Sequence, residues 1–310
     1  MKFDFIKNFK WFIGASGVII LAAIIVTVFA GGLVLGIDFT GGTMITLAMN
    51  EEFSLDTLEE VTREQVSSEV RVSYSGSDGA IVYINDRDVD ADLKDEVRGK
   101  ITDAIVAAYP STVIEYIDSV GPVAGSQLIY NAFMSLALAG VLMLIYIWIR
   151  FELLSGVAAV IALLHDVAIM ISIVAILRVQ INSSFIAAVL TIVGYSINNT
   201  IVVFDRIRDN RKVNRTLPFE QVANKSVGET LGRSINTSLT TLITITLVYI
   251  FGVASIREFV LPIITGLLAG TYSSIFIVSG LWVRLHNMAA KARKNRAVKS
   301  GGKNKKKAKA

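Results

Sequence analysis

Six long runs of apolar residues constrain this chain more than any other feature of its sequence. Each run is close to or above the roughly 20 residues that an α-helix needs to cross the hydrocarbon core of a bilayer. Because 53% of the residues are hydrophobic and only 18% are charged, the composition favours an integral membrane protein over a soluble one. The six predicted spans are residues 11–35, 128–149, 154–177, 183–204, 234–253 and 259–285.

The basic residues predict how these spans are oriented. Of the 30 Lys and Arg residues, 22 precede span one, lie between spans two and three or between spans four and five, or occur from Arg284 onwards. Cytoplasmic loops carry an excess of Lys and Arg, so we expect both termini in the cytoplasm and residues 36–125 outside. The first apolar run is too long for a signal peptide, and no small-residue cleavage pattern follows it, so we predict an uncleaved anchor.

Residues 36–125 have the pattern of a small folded domain. Apolar and alternating segments predict strands at 42–49, 70–74, 80–84 and 113–117, and helical spacing predicts helices at 54–66 and 90–108. This order, β-α-β-β-α-β, is the ferredoxin-like split βαβ unit. The segment carries a formal charge of −12, which is typical of a solvated surface or of a face that touches a partner or an unfolded chain.

The predicted fold class is therefore an α-helical polytopic membrane protein with an α+β extracytoplasmic domain between its first two spans. A cytoplasmic N-terminus of residues 1–10 precedes the first helix, residues 11–35. The outer domain of residues 36–125 follows, and then a five-helix bundle of residues 126–285. The basic tail of residues 286–310 has few apolar residues, and we expect it to be disordered.

Five motifs resemble a known family when they are taken together and in order. The first is GIDFTGGT, residues 36–43, with Asp38, Gly41 and Gly42. The others are VGPVAG from residue 120, GYSINNTIVVFDRIR from 194, RSINTSLTTL from 233 and GTYSSIF from 270. These motifs are similar to those of the SecF family, the smaller subunits of the SecD–SecF protein-export complex.

The resemblance implies half of a resistance-nodulation-division fold in the plasma membrane of a bacterium. It implies a heteromer with a SecD-like subunit that acts beside the SecYEG translocon on translocating preproteins. Such a pair uses the proton motive force, or another ion gradient, to promote late-stage translocation and release. No enzymatic activity and no cofactor are expected.

One acidic residue, Asp166, lies well inside the third span. A carboxylate at the centre of a bilayer costs a few kcal/mol on insertion scales, so it needs a partner, an aqueous cavity or a proton. The functional interpretation is a protonatable relay or a structural clamp. The alternative is a position nearer the membrane interface, with His165 as a polar neighbour.

The fourth span departs from the family pattern at Asn198 and Asn199. Members of the family usually carry Asn-Asp there, and the Asp is the expected proton carrier. An amide does not titrate near neutral pH, so Asn199 can hydrogen-bond but not carry a proton. The coupling carboxylate then comes from the SecD-like half, or from Asp166, or the subunit uses another ion. Alternatively, the amides only join helices through hydrogen bonds.

Three further positions complete the candidate residues. Arg233 opens the fifth span at a position implicated in coupling within the family, where a guanidinium would hold a nearby carboxylate ionised. Its alternative is an ordinary arginine that reaches the interface. Gly266 and Gly270 are four residues apart, which allows close helix approach within the bundle or against the SecD-like subunit.

The sequence carries no pattern for covalent chemistry. It has no cysteine and two histidines, and no P-loop, nucleophile–base pair or metal-ligand cluster stands out. Cations after the fourth span and in the tail suit membrane lipids, and no nucleic-acid partner is expected. Two other functions stay open: a half-size exporter of lipids or small molecules, and a passive assembly scaffold for the translocase.

Overall fold

The computed structural model of the protein describes residues 3–66, 69–75, 79–85 and 91–307. Six of its helices are long and apolar enough to cross a membrane, so the six predicted spans are confirmed. In chain order the elements are α1 (Phe9–Phe29), α2 (Ile37–Thr40), β1 (Gly42–Ala48), α3 (Leu55–Arg63), β2 (Val70–Ser75), β3 (Gly79–Ile84), α4 (Ala91–Ala108), β4 (Val113–Val120), α5 (Pro122–Arg150), α6 (Leu153–Ile176), α7 (Ser183–Val213), α8 (Phe219–Phe251), α9 (Ala254–Phe276) and α10 (Val278–Lys307).

The outer domain has the predicted α+β architecture. Its four strands form an antiparallel sheet in the order β2-β3-β1-β4. Alternate strand residues point to opposite faces, so one face can build a core while the other stays available. Ile45 and Val82 lie on the first face and pack with Leu58 of α3 and Ile101 of α4.

The second face of the sheet is directed at the membrane helices. Met44 and Ile81 are buried on this face together with Ile37 of α2. The hydroxyl of Tyr83, on the same face, hydrogen-bonds to Gln180 in the loop between α6 and α7. The sheet therefore separates the apolar core of the outer domain from a polar junction with the bundle.

Within the bundle, α6, α7 and α9 lie at the centre and α1, α5 and α8 lie at the rim. Half or more of the central spans is buried, at 50%, 50% and 61%, against 11%, 6% and 11% for the rim spans. Ala158, Ala159 and Ala162 give α6 a small-residue face that is fully buried. Small side chains let helix backbones approach closely, which explains how α6 occupies the middle.

The ends of α7, α8 and α9 that lie away from the sheet differ from the predicted limits. Helix α7 extends beyond its predicted span to Val213, and α8 begins before its predicted span, at Phe219. A five-residue turn therefore joins the two helices. The sixth span ends at Phe276 rather than residue 285, and α10 follows it. Where the sequence predicts a disordered tail, the structure continues α10 to Lys307, consistent with the helix propensity of Lys, Arg and Ala.

Candidate functional site

A buried carboxylate cluster lies where the three central helices meet. Asp166 of α6 is 1% exposed. Its Oδ2 accepts hydrogen bonds from Ser196 Oγ of α7 at 2.6 Å and from Ser273 Oγ of α9 at 2.8 Å. Its Oδ1 lies 3.0 Å from Nδ1 of His165. Both carboxylate oxygens are therefore engaged, and the group joins three helices.

The cluster continues to the rim helix α1. Nε2 of His165 lies 2.8 Å from Ser16 Oγ of α1, which is itself 4% exposed. The Tyr272 hydroxyl donates to the carbonyl oxygen of Phe12 at 2.8 Å, beside the same histidine. Because His165 is 14% exposed while Asp166 is sealed, the histidine is the side of the cluster nearer the surface of the chain.

Two glycines allow the close packing that brings these side chains together. A Cβ at Gly270 would lie 3.0 Å from Ser196 Cβ. A Cβ at Gly266 would lie 2.5 Å from Met170 Sδ and 2.7 Å from a side-chain carbon of Ile192. Gly266 thus faces α6 and α7, and Gly270 faces α7, inside this chain. The hydroxyls of α7 and α9 can reach Asp166 because α9 lacks side chains at these two contacts.

The chemistry of the cluster depends on whether Asp166 carries a proton. An ionised carboxylate only accepts hydrogen bonds, and here it has three partners. A protonated carboxyl must place one O–H on an acceptor, so at least one of the partners has to reverse its role or leave. Proton uptake would therefore change the hydrogen bond to His165 on α6 or one of the two that join α6 to α7 and α9.

The two asparagines of α7 occupy different environments. Asn199 is 3% exposed, and its Nδ2 finds no hydrogen-bond partner among the residues that the structure describes. Asn198 is exposed on the outside of the bundle. Thr200, the next residue, is buried beside Ser274 of α9, with 3.4 Å between the two hydroxyl oxygens. The structure thus separates Asn198 from the cluster.

Arg233 also lies on the outside of this chain. Its side chain is exposed on α8, and no hydrogen bond or ion pair to it occurs within the described ranges. The neighbouring Ser234 is buried at 3%. An arginine on the outer surface of a span can meet a carboxylate only from another chain, or reach water at the interface.

The first family motif lies at the junction between the outer domain and the bundle. Asp38 of α2 accepts a hydrogen bond from the backbone N–H of Ser183, the first residue of α7, at 2.6 Å. Asn182 caps the same helix, its Oδ1 accepting from Phe185 N at 3.0 Å. Carboxylate and amide oxygens at a helix N-terminus satisfy N–H groups that have no intrahelical partner.

The two glycines of that motif turn the chain from α2 into the sheet. Gly41 ends α2 with a φ of 73°, and Gly42 has a φ of 124°. A Cβ at Gly42 would lie 2.5 Å from the carbonyl oxygen of Ile84. Glycine meets both requirements, since it adopts positive φ without steric cost and leaves room for a neighbouring strand.

The junction is held by backbone and side-chain contacts. Leu35 pairs with Ile181 in a parallel bridge, and the Ile181 N–H donates to the Val34 carbonyl at 2.8 Å. Tyr83 of the sheet bonds to Gln180 in the same loop. Burial, and secondarily the Glu258 carboxylate, raise the pKa of Tyr83 well above its ordinary value of 10.0. The tyrosine is therefore held neutral at this contact.

The sequence analysis missed several residues of the Asp166 cluster and of the junction between the outer domain and the bundle. It did not single out Ser16, Ser196 or Ser273 as members of the cluster. It also passed over Glu258, whose Oε2 lies 3.3 Å from Asn182 Nδ2. A lone hydroxyl in an apolar span gives no signal of its own, because its partner lies on a helix distant in sequence.

Comparisons with known proteins agree with the motifs. The family described as "Protein export membrane protein SecD/SecF, C-terminal" matches residues 100–288, and the "SecD/SecF GG Motif" matches residues 27–51. The protein translocase subunit SecF of Calditerrivibrio nitroreducens is 37% identical over 283 residues, which cover 90% of this chain and 92% of that protein. The SecF of Rhodothermus marinus is 36% identical, covering 94% and 96%.

A solved structure shows the same fold. The crystal structure of SecDF from Thermus thermophilus superposes with a TM-score of 0.82 at 36% identity, covering 93% of this chain and 39% of that longer one. Family matches over more than half of the chain and relatives of this identity and coverage leave one assignment. The chain belongs to the SecD/SecF family of protein-export membrane proteins, as a relative of its SecF subunits.

Proposed function

We propose that this protein works as the SecF-type half of a SecD–SecF pair that uses an ion gradient to promote late-stage preprotein translocation through SecYEG. In this proposal both termini are cytoplasmic and the outer domain meets preproteins on the far side of the membrane. The relative from Thermus thermophilus is named as one SecDF chain, of which this protein matches 39%, and this supports pairing with a SecD-like subunit.

The observation that carries the coupling step is the buried Asp166. Placing a charged side chain inside a membrane span costs free energy. The Asp166 carboxylate has three hydrogen-bond partners, one each on α6, α7 and α9. Protonation would change those contacts, and the helices that meet there lead directly to the junction. The α6–α7 loop is the part of the bundle that holds Tyr83 of the sheet.

In this mechanism, proton uptake at Asp166 shifts α6 and α7 relative to α9, and the α6–α7 loop carries that shift to the outer domain. His165 and Ser16 supply the polar connection from the surface towards the carboxylate. Asn199, which does not titrate, supports a role for Asp166 in this half in place of the family's usual carrier. Arg233 would act on a carboxylate of the SecD-like subunit.

The experiment compares Asp166→Asn with Asp166→Glu in a strain depleted of the native copy. The amide keeps the volume and can still accept hydrogen bonds, but it cannot bind and release a proton. We expect Asp166→Asn to assemble with the SecD-like subunit and to lose the stimulation of reporter release that an uncoupler also removes. Asp166→Glu should retain part of it, because its longer side chain still titrates.

Two results would count against this proposal. If Asp166→Asn keeps full uncoupler-sensitive stimulation, the coupling carboxylate is elsewhere. If neither the unaltered chain nor any variant stimulates release, while the chain still recovers with its partner, the passive scaffold is favoured instead. Recovery of the chain only as a monomer or homo-oligomer from mild detergent would contradict the pairing itself.

A further inference from the structure

One edge of the sheet in the outer domain presents unpaired backbone groups. The N–H of Asn85 donates to the carbonyl of Glu69 at 2.9 Å, immediately before β2. In an antiparallel pair, residues alternate between those that bond to the neighbouring strand and those that point away. Val70, Val72 and Tyr74 therefore direct their N–H and C=O groups away from β3. Val70 is covered, at 1% exposed, so the open part of this edge is the segment from Val72 to Tyr74.

The opposite edge, β4, is less open by the same reasoning. The register of the ladder places Met44 opposite Asp118, and the alternation then turns the backbone groups of Ile117 and Ser119 outwards. The Ser119 N–H already donates to Oδ1 of Asp118 at 2.8 Å. On β2, no hydrogen bond to the three outward N–H groups occurs among the described residues.

A cleft runs along the free β2 edge, between the sheet and the outer ends of the membrane helices. Its volume is about 510 Å³. Its lining combines apolar groups, such as Val72, Leu177 and Leu261, with charges of both signs, such as Arg71 and Glu69. Strands rise about 3.3 Å per residue, so the open segment from Val72 to Tyr74 offers roughly 10 Å of pairing length.

We propose that this β2 edge, with the cleft beside it, holds a short extended segment of the translocating preprotein as an added strand. The proposal rests on the proposed function, which supplies an unfolded chain on this side of the membrane. An added strand gains affinity from main-chain hydrogen bonds, which every sequence offers. Such a contact suits a machine that must accept preproteins of unrelated sequence.

The register of the sheet supplies a matched pair of probes. Arg71, Tyr83, Met44 and Asp118 lie in one row across the four strands, so Arg71 and Asp118 occupy the same row at opposite edges. Both side chains are exposed. For a strand added beside β2, Arg71 is a non-hydrogen-bonded position, where facing residues come close enough for a disulfide.

The chain contains no cysteine, so Arg71→Cys and Asp118→Cys each introduce a unique thiol. The test uses full-length protein with its SecD-like partner in native membranes, and a stalled secretory reporter with single cysteines at successive positions. After oxidation, we expect Arg71→Cys to crosslink at least about fivefold more than Asp118→Cys. The yield should alternate along the reporter, because every second residue of a strand faces the same side.

A proline variant tests the main-chain contact itself. The Val72 N–H points away from β3, so Val72→Pro removes a docking donor without removing a ladder hydrogen bond. It should lower the Arg71→Cys crosslink at least about fivefold, whereas Ile117→Pro on the β4 edge should leave it unchanged. If Val72→Pro is not recovered with its partner, the alternation of the crosslinks decides alone.

Equal crosslinking at both edges, none at either, or yields without alternation would overturn the docking proposal. Crosslinking that survives Val72→Pro in an assembled complex would do so as well, because it would show a contact that does not use the main-chain hydrogen bond of an added strand. Reporter release is followed in the same membranes. If release is stimulated but the β2 edge is not contacted, only the docking proposal fails; if release is not stimulated, the proposed function fails.

Discussion

Asp166 and Arg233 are two charged residues of the membrane helices with opposite surroundings. Asp166 is 1% exposed and bonded to three partners from its own chain. Arg233 is exposed, and no partner for it occurs in the described parts of the chain. The difference predicts that Asp166 contributes to the stability of the chain on its own, whereas Arg233 contributes little to it. The stability of the isolated chain in detergent distinguishes the interior residue from the exposed one.

Removing the interior carboxylate should have the largest effect. Asp166→Leu removes the shared partner of Ser196, Ser273 and His165. Ser273 keeps the Gly270 carbonyl and His165 keeps Ser16, but the buried Ser196 hydroxyl loses its partner, and an unsatisfied buried group costs about 1–3 kcal/mol. Thermal unfolding of the purified chain should therefore begin at a markedly lower temperature. Leu164→Ala is the control, since Leu164 is on the same helix but 63% exposed. Equal behaviour of the two variants would break the comparison.

The glycine contact beside the cluster should have the next largest effect. Gly266→Ala places a methyl 2.7 Å from a side-chain carbon of Ile192, a β-branched residue with little rotamer freedom. Overpacking of this kind costs about 1–3 kcal/mol. Gly194→Ala on α7 meets nothing within 4 Å and gains helix propensity. Melting in detergent should shift down for the first variant and not for the second.

The junction should respond by a smaller amount and in a pH-dependent way. Tyr83→Phe removes the hydrogen bond to Gln180, worth about 1 kcal/mol. The pKa of Tyr83 is raised in the folded chain, so the folded state holds a proton that the unfolded state loses above about pH 10. Stability from this group is thus full below pH 10 and falls above it. Tyr83→Phe should flatten the alkaline side of the stability profile, and an unchanged slope would exclude this group as its source.

The smallest effect on the isolated chain should come from Arg233→Ala. An exposed arginine without a partner contributes within about 0.5 kcal/mol, so melting in detergent should not change. With the SecD-like partner present, reporter release should fall severely, and Arg233→Lys should be intermediate, because a point charge does not reproduce the guanidinium fork. A destabilised isolated chain would show that Arg233 has an internal partner.

The fold was largely predictable because its signals are local. Apolar runs of bilayer length mark the spans, and alternation marks strands such as Val70–Ser75. The cluster around Asp166 was predictable only in part. The carboxylate stands out in an apolar span, but Ser196 and Ser273 become its partners only through the crossing of α6, α7 and α9. The ends of α9 and α10 were missed, since an apolar run continues from Phe276 to Leu285 across the break between them.

The contact between Tyr83 and Gln180 determines how the outer domain is mounted. Two covalent links, at 34–41 and at 120–122, join the sheet to the helices, and two points of attachment define an axis about which a rigid body can still rotate. The tyrosine provides a third, non-covalent point on β3, which opposes that rotation. The sheet is then expected to move together with the α6–α7 loop. A motion that breaks this contact would remove one restraint on rotation of the sheet about the two links.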